Sequence, residues 1–232
     1  MTYPSDVAFT PSVKRIQSIK GSRRAYAHQE AAGSWSTSIN PDLAAFIEMQ
    51  TSVFLGSANA TGQPYIQHRG GPAGFLKVLD EKTIAFADFV GNRQFITMGN
   101  LADNPKALLF LIDYRTRQRV KIWGTARVVE GDDELMARLL PAKSNARAEH
   151  AIVFHVEAWD ANCPKYIPQR LDLAQVEALL EERDARIAKL EAELAGLREA
   201  LSLPQPAADS SSDAVFAHGP DRLRAVGLNP VG

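Results

Sequence analysis

Between residues 53 and 129 the chain alternates short apolar runs with turn residues, a pattern that directs it towards an antiparallel sheet. Runs 53–58 and 63–69 flank Asn59-Ala60-Thr61-Gly62, a hairpin signal, and runs 75–79 and 83–88 flank Asp80-Glu81-Lys82 as a second. Pro105 precedes the strongly apolar run 107–112, read as a buried strand that turns near Arg115 to Arg117 into run 119–129. Run 151–158 is the last strand. The expected architecture is mainly β with α: a six-stranded antiparallel split β-barrel with short flanking helices and a C-terminal coiled-coil-like helix.

Helix signals fall around these runs. Asn40-Pro41 supplies a cap and a first-turn proline for a helix to about Gln50, with Leu43, Phe46 and Ile47 on its buried side. Residues 92–101 read as a helix opened by Asn92, and residues 132–140 as another, stopped by Pro141. Residues 1–40 read as a loose basic arm with one short helix near 12–17. Residues 41–170 form the barrel, 171–203 an amphipathic helix and 204–232 a Pro/Ala/Ser/Asp-rich flexible tail. In the helix, Val176, Leu180, Arg183, Ile187, Leu190, Leu194, Leu197 and Leu201 repeat at alternating spacings of four and three, a heptad seam broken by Arg183.

Composition narrows the partners. With 26 basic and 27 acidic residues the net charge is -1, which argues against bulk attraction to nucleic acid or anionic membranes. One cysteine, Cys163, excludes an intramolecular disulfide and a cysteine zinc site. With no apolar leader or spanning run, a cytoplasmic location is expected.

Three clusters carry candidate chemistry. Gln67-His68-Arg69-Gly70-Gly71 offers a forked donor beside glycines that admit close backbone approach, or else a surface arginine in a glycine loop. Asn92-Arg93-Gln94 at a helix start reads as an anion site, or as a plain cap with a solvated arginine. Arg115, Arg117, Arg119 and Lys121 are spaced by two, cations on one strand face that an anion would relieve, or a charged edge that blocks aggregation. His150 and His155 read as structural rather than metal-binding. Nucleotide-loop, zinc-protease and serine-hydrolase motifs are absent.

The hairpin GSANATGQPYIQHRGG, the FADFVGNRQ–helix–NP unit, the strand RQRVKIWGTARVV and the segment WDANCPKYIPQR together resemble the pyridoxamine 5'-phosphate oxidase-like superfamily of FMN-binding split barrels. The resemblance covers residues 43–170. It implies a barrel homodimer holding FMN at the subunit interface, with His68, Arg69 and Gly70 along the ring and ribityl chain. Asn92, Arg93 and Gln94 would hold the phosphate, Arg119 and Lys121 would reach the FMN of the partner subunit, and residues 159–170 would close over the ring.

Within that closing segment Lys165, Tyr166 and Arg170 would face the flavin or an anionic substrate, and Cys163 is a packed thiol rather than a nucleophile. Where true vitamin B6 oxidases end in an arginine- and histidine-containing substrate segment, this chain has NCPKYIPQR, closer to flavin-nucleotide-binding relatives. The implied function is an FMN-dependent oxidoreductase passing hydride through flavin N5, with NAD(P)H as a candidate donor and no catalytic side chain assigned. Rival readings are a flavin or haem carrier, the haem ligated by His28, His68 or His155, and a deazaflavin-dependent reductase on the same barrel. A further rival is an assembly protein working through the 176–201 seam.

Overall fold

The apolar alternation builds one antiparallel sheet. In the computed structural model, which describes residues 3–140, 148–162 and 165–201, its strands are β1 (Ser52–Ala58), β2 (Pro64–Gly70), β3 (Lys77–Asp80), β4 (Thr83–Phe89), β5 (Lys106–Asp113), β6 (Gln118–Val129) and β7 (Ala148–Asn162). They lie in the order β2-β1-β5-β6-β7-β4-β3. The expected count of six is corrected: among the described residues there are seven strands, and the sheet is not closed, because its edge strands β2 and β3 do not pair with each other. The physical reason lies between them. Phe75 and Leu76, read as strand, are instead core plugs in the crossover from β2, leaving β3 only four residues long, with a register shift between Val78 and Asp80.

Both expected hairpin turns form. Asn59 Oδ1 accepts from the backbone N–H of Thr61 and of Gln63, at 3.0 and 2.9 Å, and Gly62 takes the positive φ of 88° that the turn needs. Asp80 Oδ1 accepts from Lys82 N–H at 2.7 Å.

Side chains at alternate positions fill one core: Val53 and Leu55 of β1, Leu109 and Leu111 of β5, Val120 and Ile122 of β6, with Ile84, Phe86 and Phe154. Helix α3 (Pro41–Glu48) adds Leu43, Phe46 and Ile47, and its start is pinned by Asn40 Oδ1 accepting from Leu43 N–H at 2.8 Å.

Residues expected as a loose arm carry two helices, α1 (Pro11–Ile19) and α2 (Arg23–Ala31). They share a buried charge cluster in which Glu30 meets Arg23, accepts from Ser5 Oγ at 3.1 Å and lies 3.6 Å from Lys14. Trp35, just beyond, stacks on Trp123 of β6 at 4.8 Å. The helices after β4 and β6 are α4 (Ile96–Asp103) and α5 (Asp133–Leu139). The chain divides into two units, Met1–Leu171 and Asp172–Gly232. In the second, α6 (Leu173–Ala200) is one continuous helix opened by an Asp172–Gln175 capping box, with no buried residue. The expected tail 204–232 and Cys163 lie outside the described residues. Among those described, no helix is long and apolar enough to cross a membrane.

Candidate functional site

Register sorts the predicted residues onto two faces of the sheet. Phe54 of β1 pairs with His68 of β2 and with Phe110 of β5; Phe110 pairs with Lys121 of β6, and Lys121 with Asp160 of β7. These five positions form a row on the outer face, because their neighbours Val53, Leu55, Leu109, Leu111, Val120 and Ile122 point into the core. The His68 and Phe54 rings meet at 5.5 Å and Phe54 and Phe110 at 6.5 Å. His68 Nε2 shares a 2.7 Å hydrogen bond with Ser52 Oγ.

One row further along the same strands, Ile112 pairs with Arg119. The Arg119 Nε is buried and has no hydrogen-bond partner. A buried guanidinium N–H without an acceptor is costly, and an anion or a carbonyl would relieve that cost. The outer face therefore offers aromatic surface bounded by Arg119 and Lys121, with the Asp160 carboxylate opposite Lys121. Sequence reasoning found the cations and His68 but missed Phe54, Phe110 and Ser52. Strand alternation was the available signal: it puts Phe54 and Phe110 opposite their buried neighbours.

Arg69 is not part of this row. It pairs with Val53 and so faces inward, where its Nε lies 3.0 Å from Asp88 Oδ1 of β4. The N–H points off that oxygen, leaving an ion pair rather than a hydrogen bond. The other oxygen, Asp88 Oδ2, accepts from His150 Nε2 of β7 at 3.0 Å. The triad joins edge strand β2 to strands at the opposite side of the sheet, where no ladder connects them. Burial pushes the Asp88 carboxyl above its ordinary range, against the opposing pull of Arg69 and then His150. Asp88 and His150 escaped the sequence reading as partners; the signal was a carboxylate closing the apolar run IAFAD.

The glycines after Arg69 are crowded by side chains of the chain itself. A Cβ on Gly71 would stand 2.7 Å from Phe75 Cβ and Cγ, and one on Gly70 3.1 Å from His68 Cε1.

Asn92 does not open a helix. Helix α4 starts only at Ile96, and Arg93 and Phe95 both take positive φ, 56° and 53°, so the preceding residues form an irregular loop. The expected helix-start anion site is thereby corrected. Asn92 Oδ1 accepts from Gln94 N–H at 3.2 Å, and Arg93 pairs with Glu149 at 3.0 Å. Arg93, Phe95, Met98, Glu130, Glu149 and His150 line a cavity of ≈ 390 Å³. Two carboxylates in that lining, Glu130 and Glu149, outnumber its one guanidinium, Arg93.

The four-cation strand face is also corrected. Arg115 and Arg117 lie in the β5–β6 turn, Arg117 at φ 55°, because Asp113 Oδ1 holds that turn by accepting from Arg115 N–H at 2.8 Å. Only Arg119 and Lys121 share the strand face.

Beyond β7, Arg170 stacks on Tyr114 at 4.5 Å and its N–H donates to Tyr114 O at 3.2 Å. Gln169 Nε2 donates to Arg115 O at 3.1 Å. Lys165 lies over the ring of Tyr166, a residue 89% exposed at φ 66°. The segment expected to close over a cofactor is thus tied at its end to the β5–β6 turn.

Comparison with solved structures finds HupZ of Group A Streptococcus, 21% identical over 57% of this chain and 99% of that one, with a TM-score of 0.43. A putative pyridoxamine 5'-phosphate oxidase from Lactobacillus delbrueckii is 21% identical over 53% and 94%, at 0.41. An FMN-binding protein from Syntrophomonas wolfei is 12% identical over 63% and 97%, at 0.40. Comparison with curated proteins gives no match. The family profile described as "Pyridoxamine 5'-phosphate oxidase" matches residues 39–163. Since that span starts just ahead of α3 and takes in every strand from β1 to β7, the chain belongs to the pyridoxamine 5'-phosphate oxidase family.

Proposed function

We propose that the chain is an FMN-dependent oxidoreductase acting as a homodimer on a small substrate, with reduced nicotinamide as the donor. The observation that carries this is the outer-face row: His68, Phe54 and Phe110 in ring contact, Lys121 in register with them, and Arg119 beside it with a buried N–H lacking an acceptor. This donor set fits a flat heteroaromatic ring with carbonyl and phosphate groups. Phe54 and Phe110 would supply apolar surface, Arg119 a forked donor and Lys121 a point charge. Bound FMN supplies the hydride chemistry, so the protein needs no redox group of its own.

His68, oriented by Ser52, would present its imidazole to the ring edge, and Phe54 limits its rotation. Exposed Ile66 and half-buried Phe54, Leu108 and Phe110 leave this face apolar, which favours a second copy seated over it and excluding water.

The test is an absorbance spectrum of the purified protein with the released cofactor identified by mass. A yellow protein releasing FMN, reducible by NADH or NADPH, supports the reading. A released deazaflavin or haem replaces it with one of the rivals, and a colourless protein that takes up no added FMN overturns it. Arg119→Ala should weaken FMN binding about tenfold or more, since it removes a charged hydrogen-bond donor.

A further inference from the structure

We propose that α6 forms a parallel, in-register two-stranded coiled coil with α6 of a second copy of this chain. Helix α6 runs 28 residues without one buried side chain, yet carries an apolar seam interrupted only at Arg183. Along it Val176, Leu180, Ile187, Leu190, Leu194 and Leu197 are 36–65% exposed. In proteins most of a helix's stability comes from packing an apolar face rather than from propensity, and this face has no cover among the described residues. The seam is too narrow to bury the helix in a globular core and suits one partner helix.

Charge selects the partner and its direction. With Leu180, Ile187 and Leu194 at the a positions and Val176, Leu190 and Leu197 at d, the flanking g positions include Arg186 and Glu193, and the e positions Glu191 and Arg198. A parallel, in-register pair sets Arg186 of one copy against Glu191 of the other, and Glu193 against Arg198, each twice by symmetry. No like-charged g–e pair arises between positions 179 and 198. An antiparallel pair that stacks Ile187 on Leu190 keeps attractive pairs, Arg186 with Glu193 and Glu177 with Arg198, but it also sets Asp184 against Glu191 and drives Arg183 against Leu194. The parallel arrangement places the two Arg183 side chains in one layer. Each brings its own Asp184, to which it is bound at 3.0 Å, so the layer carries no net charge. A slip of one heptad would bury Arg183 against Val176 or Leu190, so the same residue fixes the register.

The test uses the full chain with its single native thiol removed, as Cys163→Ser or Cys163→Ala, whichever keeps the helical signal. One added cysteine is placed in the seam, Leu190→Cys, or on the opposite face, Ala192→Cys. In a glutathione redox buffer Leu190→Cys should give at least about fivefold more disulfide-linked dimer than Ala192→Cys, because only seam positions bring equivalent residues within disulfide reach. Adding Glu193→Arg should lower that yield, and adding Arg198→Glu to it should restore the yield. The two positions are five apart and do not face each other within one helix. Equal cross-linking at 190 and 192, or a Glu193→Arg loss that Arg198→Glu does not restore, overturns the proposal.

Discussion

The carboxyl of Asp88 is held between Arg69 and His150 in a largely dry position, and burial raises its pKa above the ordinary carboxylate range. A raised folded-state pKa means that the unfolded chain ionises first as pH rises. The stability tied to Asp88 is therefore full below the ordinary Asp value and declines until pH passes the raised one. Denaturant titrations of the natural protein and Asp88→Asn should show their stability difference shifting against the natural protein across that window and flat above it. A pH-independent difference would mean that Asp88 does not change its protonation on folding. Gly124 makes a sharper demand: a Cβ there would lie 1.9 Å from the backbone oxygen of His155, at the register shift between β6 and β7. Gly124→Ala should cost about 3 kcal/mol or more, read as a lowered denaturation midpoint. Neither demand was visible in the sequence, because each arises from strands distant in the chain. The alternation that put Lys121 and Arg119 on one face was legible, since it needs only a period of two.

Elements with strong local signals formed where the sequence placed them. Asn40-Pro41 opened α3 as read, and Asn40→Ala should cost about 1 kcal/mol through the lost bond to Leu43 N–H, measured by denaturant unfolding. Helix α2 went unread because its stability comes from elsewhere: Glu30 is buried against Arg23, Ser5 and Lys14, residues outside its own apolar pattern. Helix α4 starts four residues later than the Asn92 cap signal suggested, because Arg93 and Phe95 adopt left-handed backbone that no local rule assigns to them. For α6 the heptad spacing was sufficient to foresee one long helix. Its odd residue, Arg183, now has a stated role, and Arg183→Leu should raise the temperature at which the helical signal is lost, by replacing a charged seam layer with an apolar one. The same change should loosen the register, seen as disulfide formation between Leu190→Cys and seam positions a heptad away.

At the scale of the whole molecule, the two units draw on different sources of stability. Among the described residues every buried hydrophobic side chain lies between Ile39 and Ile167, and α6 contributes none. Among the described residues, cutting the chain after Leu171 therefore removes no core residue, and on the proposed pairing it removes a helix that gains its cover from a second copy. The three tryptophans, Trp35, Trp123 and Trp159, all belong to the first unit, so their fluorescence reports that unit alone, whereas the far-ultraviolet helical signal also reports α6. The shortened and full chains should lose tryptophan fluorescence at midpoints corresponding to within about 0.5 kcal/mol of each other, as changes remote from the core do. In the full chain alone, the helical signal should fall in an additional step whose midpoint rises with protein concentration, since a helix that gains its cover from a second copy is stabilised by mass action. A truncated chain that unfolds early would instead place α6 in support of the sheet. A concentration-independent helical step would remove the second copy as its source of cover.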